Sequence, residues 1–250
     1  MDKVVIILGL GFTGTRLLNR LHARREEVFA PLRGEWKTRA MPTGALMAVT
    51  IPPVAEPDKG SIRQTILELR PKRVVYVSST GVYGDQVDID EQTAVRPSDE
   101  RGLLRLEDET WYAAGPWSTL ILRSSAIYGP NRGVHAALRE GRLPRGSGSG
   151  VVSRIHVDDL AELMEAGLYS NLQGAWPVAD EEPCSSAEIA HWYAELAGLK
   201  AETATGPQVT GRRVDGREIC KLLGVQLKYP TWQAGILACL EEEARLQRKQ

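Results

Sequence analysis

The chain has 250 residues, of which 42% are hydrophobic and 25% are charged, and its formal net charge at pH 7 is −1. This balance is typical of a soluble globular protein, and it argues against nucleic acid or an anionic membrane as the partner because the chain carries no strong net field. The three cysteines, Cys184, Cys220 and Cys239, are widely spaced and form no CxxC pair, so neither a disulfide framework nor a zinc site is predicted.

The chain begins with a pattern typical of a strand, a glycine turn and a helix. The apolar run 4–8 is followed by Gly9-Leu10-Gly11-Phe12-Thr13-Gly14, and segment 15–24 then places its leucines on one helical face. Because the apolar run starts at residue 4, we expect no signal peptide. No stretch approaches the length of a membrane span, so we expect a cytoplasmic protein.

The glycine turn predicts a dinucleotide site. Gly9 permits a tight turn, Gly11 lets the backbone approach a pyrophosphate, and Gly14 lets the helix pack on the strand. Phe12 and Thr13 are expected to surround the pyrophosphate with them. Backbone N–H groups at the start of the helix favour an anion there without a basic side chain.

Two further strands are predicted at 28–33 and 45–51. Pro31 indicates that the first of these is short. Only 34–44 separates them, which is too little for a helix, a strand and a second helix of usual length. We therefore expect one βα unit to be shortened. Ile51 and Pro52, where the later strand ends, are assigned to the cofactor site.

The end of the second strand bears on the choice of cofactor. A carboxylate there favours NAD through the ribose hydroxyl, whereas an arginine accommodates a 2′-phosphate. Leu32-Arg33-Gly34 offers an arginine, so NADP is predicted, with NAD as the alternative and with Lys37 and Arg39 as helpers of Arg33. The shortened 34–44 segment leaves the adenine more exposed.

Strands and helices alternate through the rest of the first half. Ser61 is expected to cap a helix, 74–77 to form a central strand, 101–112 a helix and 119–122 the next strand. This alternation predicts an α/β fold, a doubly wound, Rossmann-type parallel sheet. We expect 1–130 to form the NAD(P)-binding core, and 131–250 to complete it and add a small C-terminal substrate-binding subdomain, as one continuous unit.

Three local patterns follow in the second half. The Gly-Ser-rich segment 141–150 is predicted to be a mobile surface loop, which is either a lid over a cleft or a plain solvent-exposed connection. Asp158 or Asp159 is expected to cap the next helix. Ser185 and Glu188 have the spacing of a capping box for a further helix.

Three motifs carry a family resemblance. Segment 76–84, Tyr-Val-Ser-Ser-Thr-Gly-Val-Tyr-Gly, ends a predicted central strand, 122–130 contains Ile127-Tyr128-Gly129-Pro130, and 154–161 reads Arg-Ile-His-Val-Asp-Asp-Leu-Ala. Together they resemble the extended short-chain dehydrogenase/reductases, also described as the NAD-dependent epimerase/dehydratase group, over roughly residues 3 to 185.

The resemblance implies specific roles for residues of these motifs. Ser79 matches the active-site Ser/Thr of the family, with Thr80 beside it, and both are expected to orient a substrate oxygen. Ser78 is assigned to the cofactor site, and Ile127 lies in the segment that the family places beside the nicotinamide. A turn hydroxyl that only satisfies backbone is the alternative for Ser79.

The chain departs from the family at its catalytic pair. The usual Tyr-x-x-x-Lys is replaced by Arg101 and Arg105 at the same spacing. A guanidinium stays protonated, so it binds anions but cannot relay a proton. The arginines are candidates to bind cofactor, to bind an anionic substrate, or to form a solvated basic face. This pattern resembles an atypical branch of the family.

Other proton donors are weaker candidates. Tyr83, Tyr128 and His156 have suitable side chains, but each matches a position that is commonly structural in the family. His156 is expected to be a packed, hydrogen-bonded histidine.

The sequence favours an oxidoreductase that transfers hydride between NADP and a small carbonyl or alcohol substrate. One alternative is a non-catalytic NADP sensor that acts through a protein partner, and another is a sugar-nucleotide epimerase or dehydratase. The substrate is an unidentified small molecule for which an anion is an option, and the oligomeric state is open, a homodimer included.

Overall fold

The computed structural model describes residues 4–32, 35, 40–142, 150–198 and 211–248. In chain order the strands are β1 Val5–Leu8, β2 Val28–Phe29, β3 Leu46–Val49, β4 Arg73–Ser79, β5 Asp88–Ile89, β6 Ser118–Ser124, β7 Ala126–Tyr128, β8 Val151–Val152, β9 Arg154–His156, β10 Gly174–Val178, β11 Cys184–Ser185 and β12 Arg213–Val214. The helices are α1 Phe12–Ala23, α2 Asp58–Leu69, α3 Glu100–Ala113, α4 Val134–Arg139, α5 Val157–Tyr169, α6 Ser186–Leu196, α7 Arg217–Leu223 and α8 Trp232–Gln247, with a 3-10 turn at Thr80–Tyr83.

Six strands form a parallel central sheet in the order β10-β6-β4-β3-β1-β2. The chain leaves β1 for β2 on one side and then crosses to β3 on the other, so the direction of winding reverses between β1 and β3. This confirms the predicted Rossmann-type α/β fold. The chain runs from β2 to β3 with no further strand among the residues described between them, as the short spacing predicted.

Helices cover both faces of the sheet because alternate strand residues point to opposite sides. On one face the buried side chains come from strands β1 and β4 and from helices α1, α5 and α7: Val5, Ile7, Val75, Val77, Leu17, Leu21, Leu160, Met164 and Ile219. On the other they come from the same strands and from α2 and α3: Ile6, Leu8, Val74, Tyr76, Ile62, Ile66, Leu69 and Tyr112. Each such burial stabilises the fold by about 1.5–3 kcal/mol before entropy is counted.

The second half of the chain adds the edge strand β10 and a smaller layer beside the sheet. The pairings of β7 with β9 and of β5 with β12 join this layer to the core, and the pairing of β8 with β11 lies within it. A third apolar cluster between α4, α6 and α8 centres on Tyr128, Trp232 and Ile236. The carboxyl ends of the central strands therefore face a lobe built by later residues.

Helix starts differ from the sequence predictions in two places. Helix α2 begins at Asp58, whose carboxylate suits the first turn, and not after Ser61. Helix α5 begins at Val157 with His156 as its cap, because Asp159 instead accepts the amides of Lys228 and Tyr229.

The predicted capping box is confirmed. Ser185 Oγ accepts the Glu188 amide at 3.0 Å, and the Glu188 carboxylate accepts the Ser185 amide at 2.7 Å. Most of the predicted loop at 141–150 lies outside the described residues. None of the described helices is long and apolar enough to cross a membrane.

Candidate functional site

The three glycines of the first turn have three different surroundings. Gly9 has a φ of +107°, which other residues rarely adopt. A Cβ placed on Gly14 would lie 1.9 Å from the carbonyl oxygen of Gly9, so any side chain there would force α1 away from the turn. A Cβ placed on Gly11 would meet no atom within 4 Å. Gly9 and Gly14 are therefore needed by the fold, whereas Gly11 faces open space.

The amino end of α1 points its free N–H groups toward that space. Gly11 caps the helix without a side-chain hydrogen bond, and the first turn contains no acidic residue. A helix start of this kind carries partial positive charge and unpaired donors. The geometry fits a bound pyrophosphate at Gly11, Phe12 and Thr13.

A cavity of about 650 Å³ opens beside the turn, at the point where the winding reverses. Its described lining comes from the glycine turn, the end of β2, the end of β3 and α2: Gly9, Leu10, Gly11, Pro31, Leu32, Thr50, Ile51, Pro52, Val54, Asp58, Ser61, Ile62 and Thr65. The volume lies in the usual range for ligand sites, and reversal points are where such sheets bind ligands. The structure thus brings Gly9, Gly11, Ile51 and Pro52 together.

Two features of this cavity bear on the cofactor prediction. Arg33, Lys37 and Arg39 lie outside the described residues. The α2 wall was missed from the sequence, although Asp58, Ser61 and Thr65 are spaced to share one helical face.

Ser79 stands at the same edge of the sheet, farther along it. Leu8, Val49 and Tyr76 are in register, so β4 continues three residues, roughly 10 Å, beyond the end of β1. Ser79 Oγ accepts the Gly81 amide at 3.1 Å and thereby starts the 3-10 turn. Its hydroxyl hydrogen remains able to donate to a ligand oxygen. Ser79 is not among the residues that line the cavity.

Among proteins of known sequence, no family model matches the chain. A 3-diazoavenalumate denitrifying reductase from Streptomyces sp is 30% identical over 151 residues, which cover 52% of this chain and 50% of that protein. Protein YeeZ of Escherichia coli K12 is 27% identical over 166 residues, covering 63% and 59%. The matched regions thus span only half to three-fifths of the lengths of these relatives.

Solved structures match over nearly the whole chain. A protein of unknown function from Silicibacter pomeroyi is 25% identical with a TM-score of 0.79, covering 96% of this chain and 99% of its own. A protein of Methylobacillus flagellatus assigned to the NAD-dependent epimerase/dehydratases is 26% identical with a TM-score of 0.73, covering 97% and 99%. By structure, the chain is similar to NAD-dependent epimerase/dehydratase proteins.

MoeE5 in complex with UDP-glucose and NAD is 20% identical with a TM-score of 0.79, over 98% of this chain and 99% of its own. At that identity the match supports the fold alone.

Ser78 and Tyr83 belong to a buried network and not to an open site. Ser78 Oγ donates to Glu109 at 2.5 Å, and Arg123 binds the same carboxylate with its closest contact at 2.8 Å. Arg123 also donates to the Tyr83 hydroxyl at 3.2 Å. Burial raises the pKa of Tyr83. Both hydroxyls are therefore engaged inside the protein, and the side chain of Ser78 is not presented to a cofactor.

The two arginines at the position of the usual Tyr-Lys pair have different environments. Arg105 donates to the Tyr76 hydroxyl at 3.0 Å and to the carbonyl of Val77 at 3.3 Å. Arg101 is exposed on the same helix. That helix packs on the serine turn, because a Cβ on Gly102 would lie 2.8 Å from the carbonyl of Gly81. Arg105 thus supports β4, and Arg101 faces solvent.

Thr80 is buried and is held by a residue that the sequence did not single out. Arg212 donates to the carbonyl oxygen of Thr80 at 2.7 Å and to its hydroxyl at 3.3 Å, and it also binds the carbonyls of Gly84 and Gln86. Because 132 positions separate Arg212 from Thr80, no local pattern could have indicated this contact.

The remaining proton-transfer candidates are packed in the interior. His156 Nδ1 accepts the Asp158 amide at 3.2 Å, and burial lowers the pKa of His156 to about 3. Burial also raises the pKa of Tyr128, whose hydroxyl packs against Gly235. Ile127 is half-buried and pairs with Ile155. The neutral, enclosed His156 agrees with a packed histidine.

Proposed function

We propose that the protein binds NADP(H) and transfers hydride between it and a small carbonyl or alcohol substrate. The observation that carries this proposal is the open space at Gly11, beside an uncapped helix start and a cavity of about 650 Å³. When bound, the nicotinamide group supplies or accepts the hydride. Oxidoreductase chemistry also agrees with the reductase among the similar proteins.

In this proposal, residues of the glycine turn bind the cofactor and Ser79 binds the substrate. Gly9, Gly11, Phe12 and Thr13 would hold the pyrophosphate through backbone donors. Ser79 would donate its hydroxyl hydrogen to a substrate oxygen on which negative charge develops. Such a contact strengthens in the transition state and so favours catalysis.

The proton that accompanies hydride would come from water. An arginine cannot release a proton at neutral pH, which excludes Arg101 and Arg105 from this step. Tyr83, Tyr128 and His156 are buried, and the pKa of each is shifted away from neutrality. A sugar-nucleotide epimerase or dehydratase needs a competent base, so this environment supports that alternative less well.

The preference for NADP rests on Arg33, which follows β2 in the sequence. The nearest described carboxylate in sequence, Glu35, accepts the Leu32 amide at 3.0 Å. We propose that Arg33 binds the 2′-phosphate while Glu35 shapes the turn. Arg33→Ala should weaken NADPH binding and leave NADH binding nearly unchanged. Equal affinities of the unaltered protein for NADPH and NADH would contradict the preference.

Cofactor binding can be tested by titrating the protein with NADPH and following the nicotinamide fluorescence. Gly11→Val should abolish the signal while lowering the thermal midpoint only slightly, because the added atoms enter open space and the one loss is a favourable N-cap residue. Ala113→Val, an exposed change at the end of α3, is the matched control. If Gly11→Val binds NADPH with the affinity of the unaltered protein, the proposed site is wrong.

A redox sensor is the second candidate, because Tyr83, Tyr128 and His156, which could relay a proton by residue type, are buried inside the protein. The two functions differ in turnover. A panel of small carbonyls and alcohols should give NADPH oxidation or NADP reduction if the protein is an oxidoreductase, and Ser79→Ala should slow it by about 10- to 1000-fold. Tight binding, no turnover and a partner captured only with one redox state would favour the sensor.

A further inference from the structure

A tight turn follows β7 and presents one arginine. Gly129 and Arg132 exchange two backbone hydrogen bonds of 2.9 and 3.0 Å. Between them lie Pro130 and Asn131, and Asn131 has a φ of +59°. Proline followed by a left-handed asparagine is typical of a type II turn. The backbone at Arg132 is therefore fixed by local geometry.

An ion pair between α8 and α4 holds the turn from behind. Glu243, which is 5% exposed on α8, accepts the Asn131 amide at 2.5 Å. Arg139 pairs with Glu243 and donates to the Asn131 side-chain oxygen at 2.9 Å. The turn is thus fixed to α8 and α4, which limits how far Arg132 can move.

The side chain of Arg132 lies at the start of α1. Its guanidinium carbon is 5.0 Å from the centre of the Phe12 ring. Phe12 is the first residue of α1, and its ring packs against Gly129, where a Cβ would come within 2.8 Å of Cζ. The guanidinium therefore stands next to the helix end where an anion is expected.

Arg132 has no counter-charge within the part of the chain that the structure describes. It is exposed and forms no ion pair there, whereas Arg16 pairs with Asp158 and Glu242. The first turn of α1 has no acidic residue either. A cation beside a positive helix end is unfavourable by about 0.3–1 kcal/mol unless an anion joins them.

We propose that Arg132 closes the pyrophosphate site, binding a phosphate oxygen of the dinucleotide from the side opposite the glycine turn. This rests on the proposed function, since it takes the cofactor as the anion. A guanidinium matches phosphate geometry and can donate two hydrogen bonds. Stacking on Phe12 keeps its planar face fixed and its N–H edge free to donate.

Calorimetry with NADPH and with inorganic pyrophosphate tests the proposal. Arg132→Leu should raise the Kd for NADPH about 10- to 100-fold, the loss expected for one charge-assisted contact, and should weaken pyrophosphate binding as well. Arg132→Lys keeps the positive charge but loses the planar guanidinium, so its Kd for NADPH should lie between those of the unaltered protein and Arg132→Leu. Arg142→Leu, which removes an exposed arginine paired with Glu140, should bind like the unaltered protein.

The outcomes separate this inference from the proposed function. Unchanged NADPH binding by Arg132→Leu, with the thermal midpoint preserved, would overturn it. Unchanged cofactor binding with a raised KM for an anionic substrate would overturn it too, by placing Arg132 on the substrate. If the unaltered protein binds no NADPH, the proposed function fails. Pyrophosphate binding that depends on Arg132 would still support the role of Arg132 in the pyrophosphate site.

Discussion

Thr50, the residue after β3, donates a hydrogen bond from its hydroxyl to the carbonyl oxygen of Gly9 at 2.6 Å. Its own amide donates to the carbonyl of Leu8 at 2.9 Å. The glycine turn is therefore tied to the strand on the far side of the winding reversal. Because Gly9 has its φ at +107°, this contact fixes an otherwise permissive backbone just where the ligand cavity begins.

Thr50→Val keeps the shape of the side chain but removes the hydroxyl. We expect a loss of about 1–3 kcal/mol in the free energy of unfolding, because the Gly9 carbonyl loses its partner in a half-buried place. NADPH affinity should fall as well, since the turn becomes looser. Urea unfolding and fluorescence titration measure the two effects. Thr50→Ser is the control, and equal losses in Ser and Val variants would contradict the role of the hydroxyl.

Gly14→Ala should destabilise the fold more than Gly11→Ala. The new Cβ on residue 14 would lie 1.9 Å from the Gly9 carbonyl, so α1 must shift, at a cost of about 1–3 kcal/mol or more. At residue 11 the same Cβ meets nothing, so only the smaller loss of a favourable N-cap residue is expected. Thermal denaturation of the two variants side by side measures this. A Gly14→Ala protein as stable as the Gly11→Ala protein would refute the packing argument.

Local sequence patterns predicted those structural features whose interacting residues are close together in the sequence. The spacing of Gly9, Gly11 and Gly14 indicated a strand, a turn and a helix, and the structure contains them. Ser185 and Glu188, three residues apart, form the predicted capping box. The short spacing before β3 predicted a reduced unit. In each of these cases the interacting residues are close in sequence, so their pattern is visible there.

Contacts across long sequence distances could not be predicted in this way. Arg212 reaches Thr80 across the lobe, and Glu243 reaches the turn at Asn131. Ser78 matched a family motif, but its hydroxyl donates to Glu109, a buried carboxylate that Arg123 also binds. A motif indicates which residues stand at an edge of the sheet, and only the packing of α3 decides which way they face.

Arg105 and Tyr76 should be energetically coupled. Arg105 donates to the Tyr76 hydroxyl at 3.0 Å, and burial raises the pKa of that hydroxyl, so it stays a neutral group that needs a partner. Arg105→Met should cost about 1–3 kcal/mol of stability, and less in a Tyr76→Phe background, where no hydroxyl is left unpaired. Urea unfolding of the four proteins gives the coupling. Strict additivity of the two changes would disprove the interaction.

Asp180 should make the stability of the protein fall as pH rises toward 8. Its side chain is 2% exposed, and burial raises its pKa to about 8 despite the charge of Arg154 and the nearby backbone amides of Glu182 and Arg154. The folded state therefore holds this proton more tightly than the unfolded chain, whose value lies near 3.8. The stabilisation is complete below pH 3.8 and is lost as pH rises through about 8.

Over the interval from pH 6.5 to 8, comparison with Asp180→Asn separates Asp180 from the other shifted groups, because those groups, His135 included, are present in both proteins. Asp159, with its pKa raised to about 6, is largely ionised above pH 6.5, and the contribution of His156, whose pKa is lowered to about 3, fades as the unfolded histidine loses its proton above pH 6.5. Asp180→Asn cannot ionise, so its free energy of unfolding should decline less over this interval, by roughly 1–2 kcal/mol, because each pH unit corresponds to about 1.4 kcal/mol per proton. Urea unfolding at pH 6.5, 7.0, 7.5 and 8.0 measures both slopes, and Asp215→Asn, at an exposed ion pair, is the control. Parallel slopes for the unaltered protein and Asp180→Asn would mean that the buried carboxyl does not take up a proton on folding in this range.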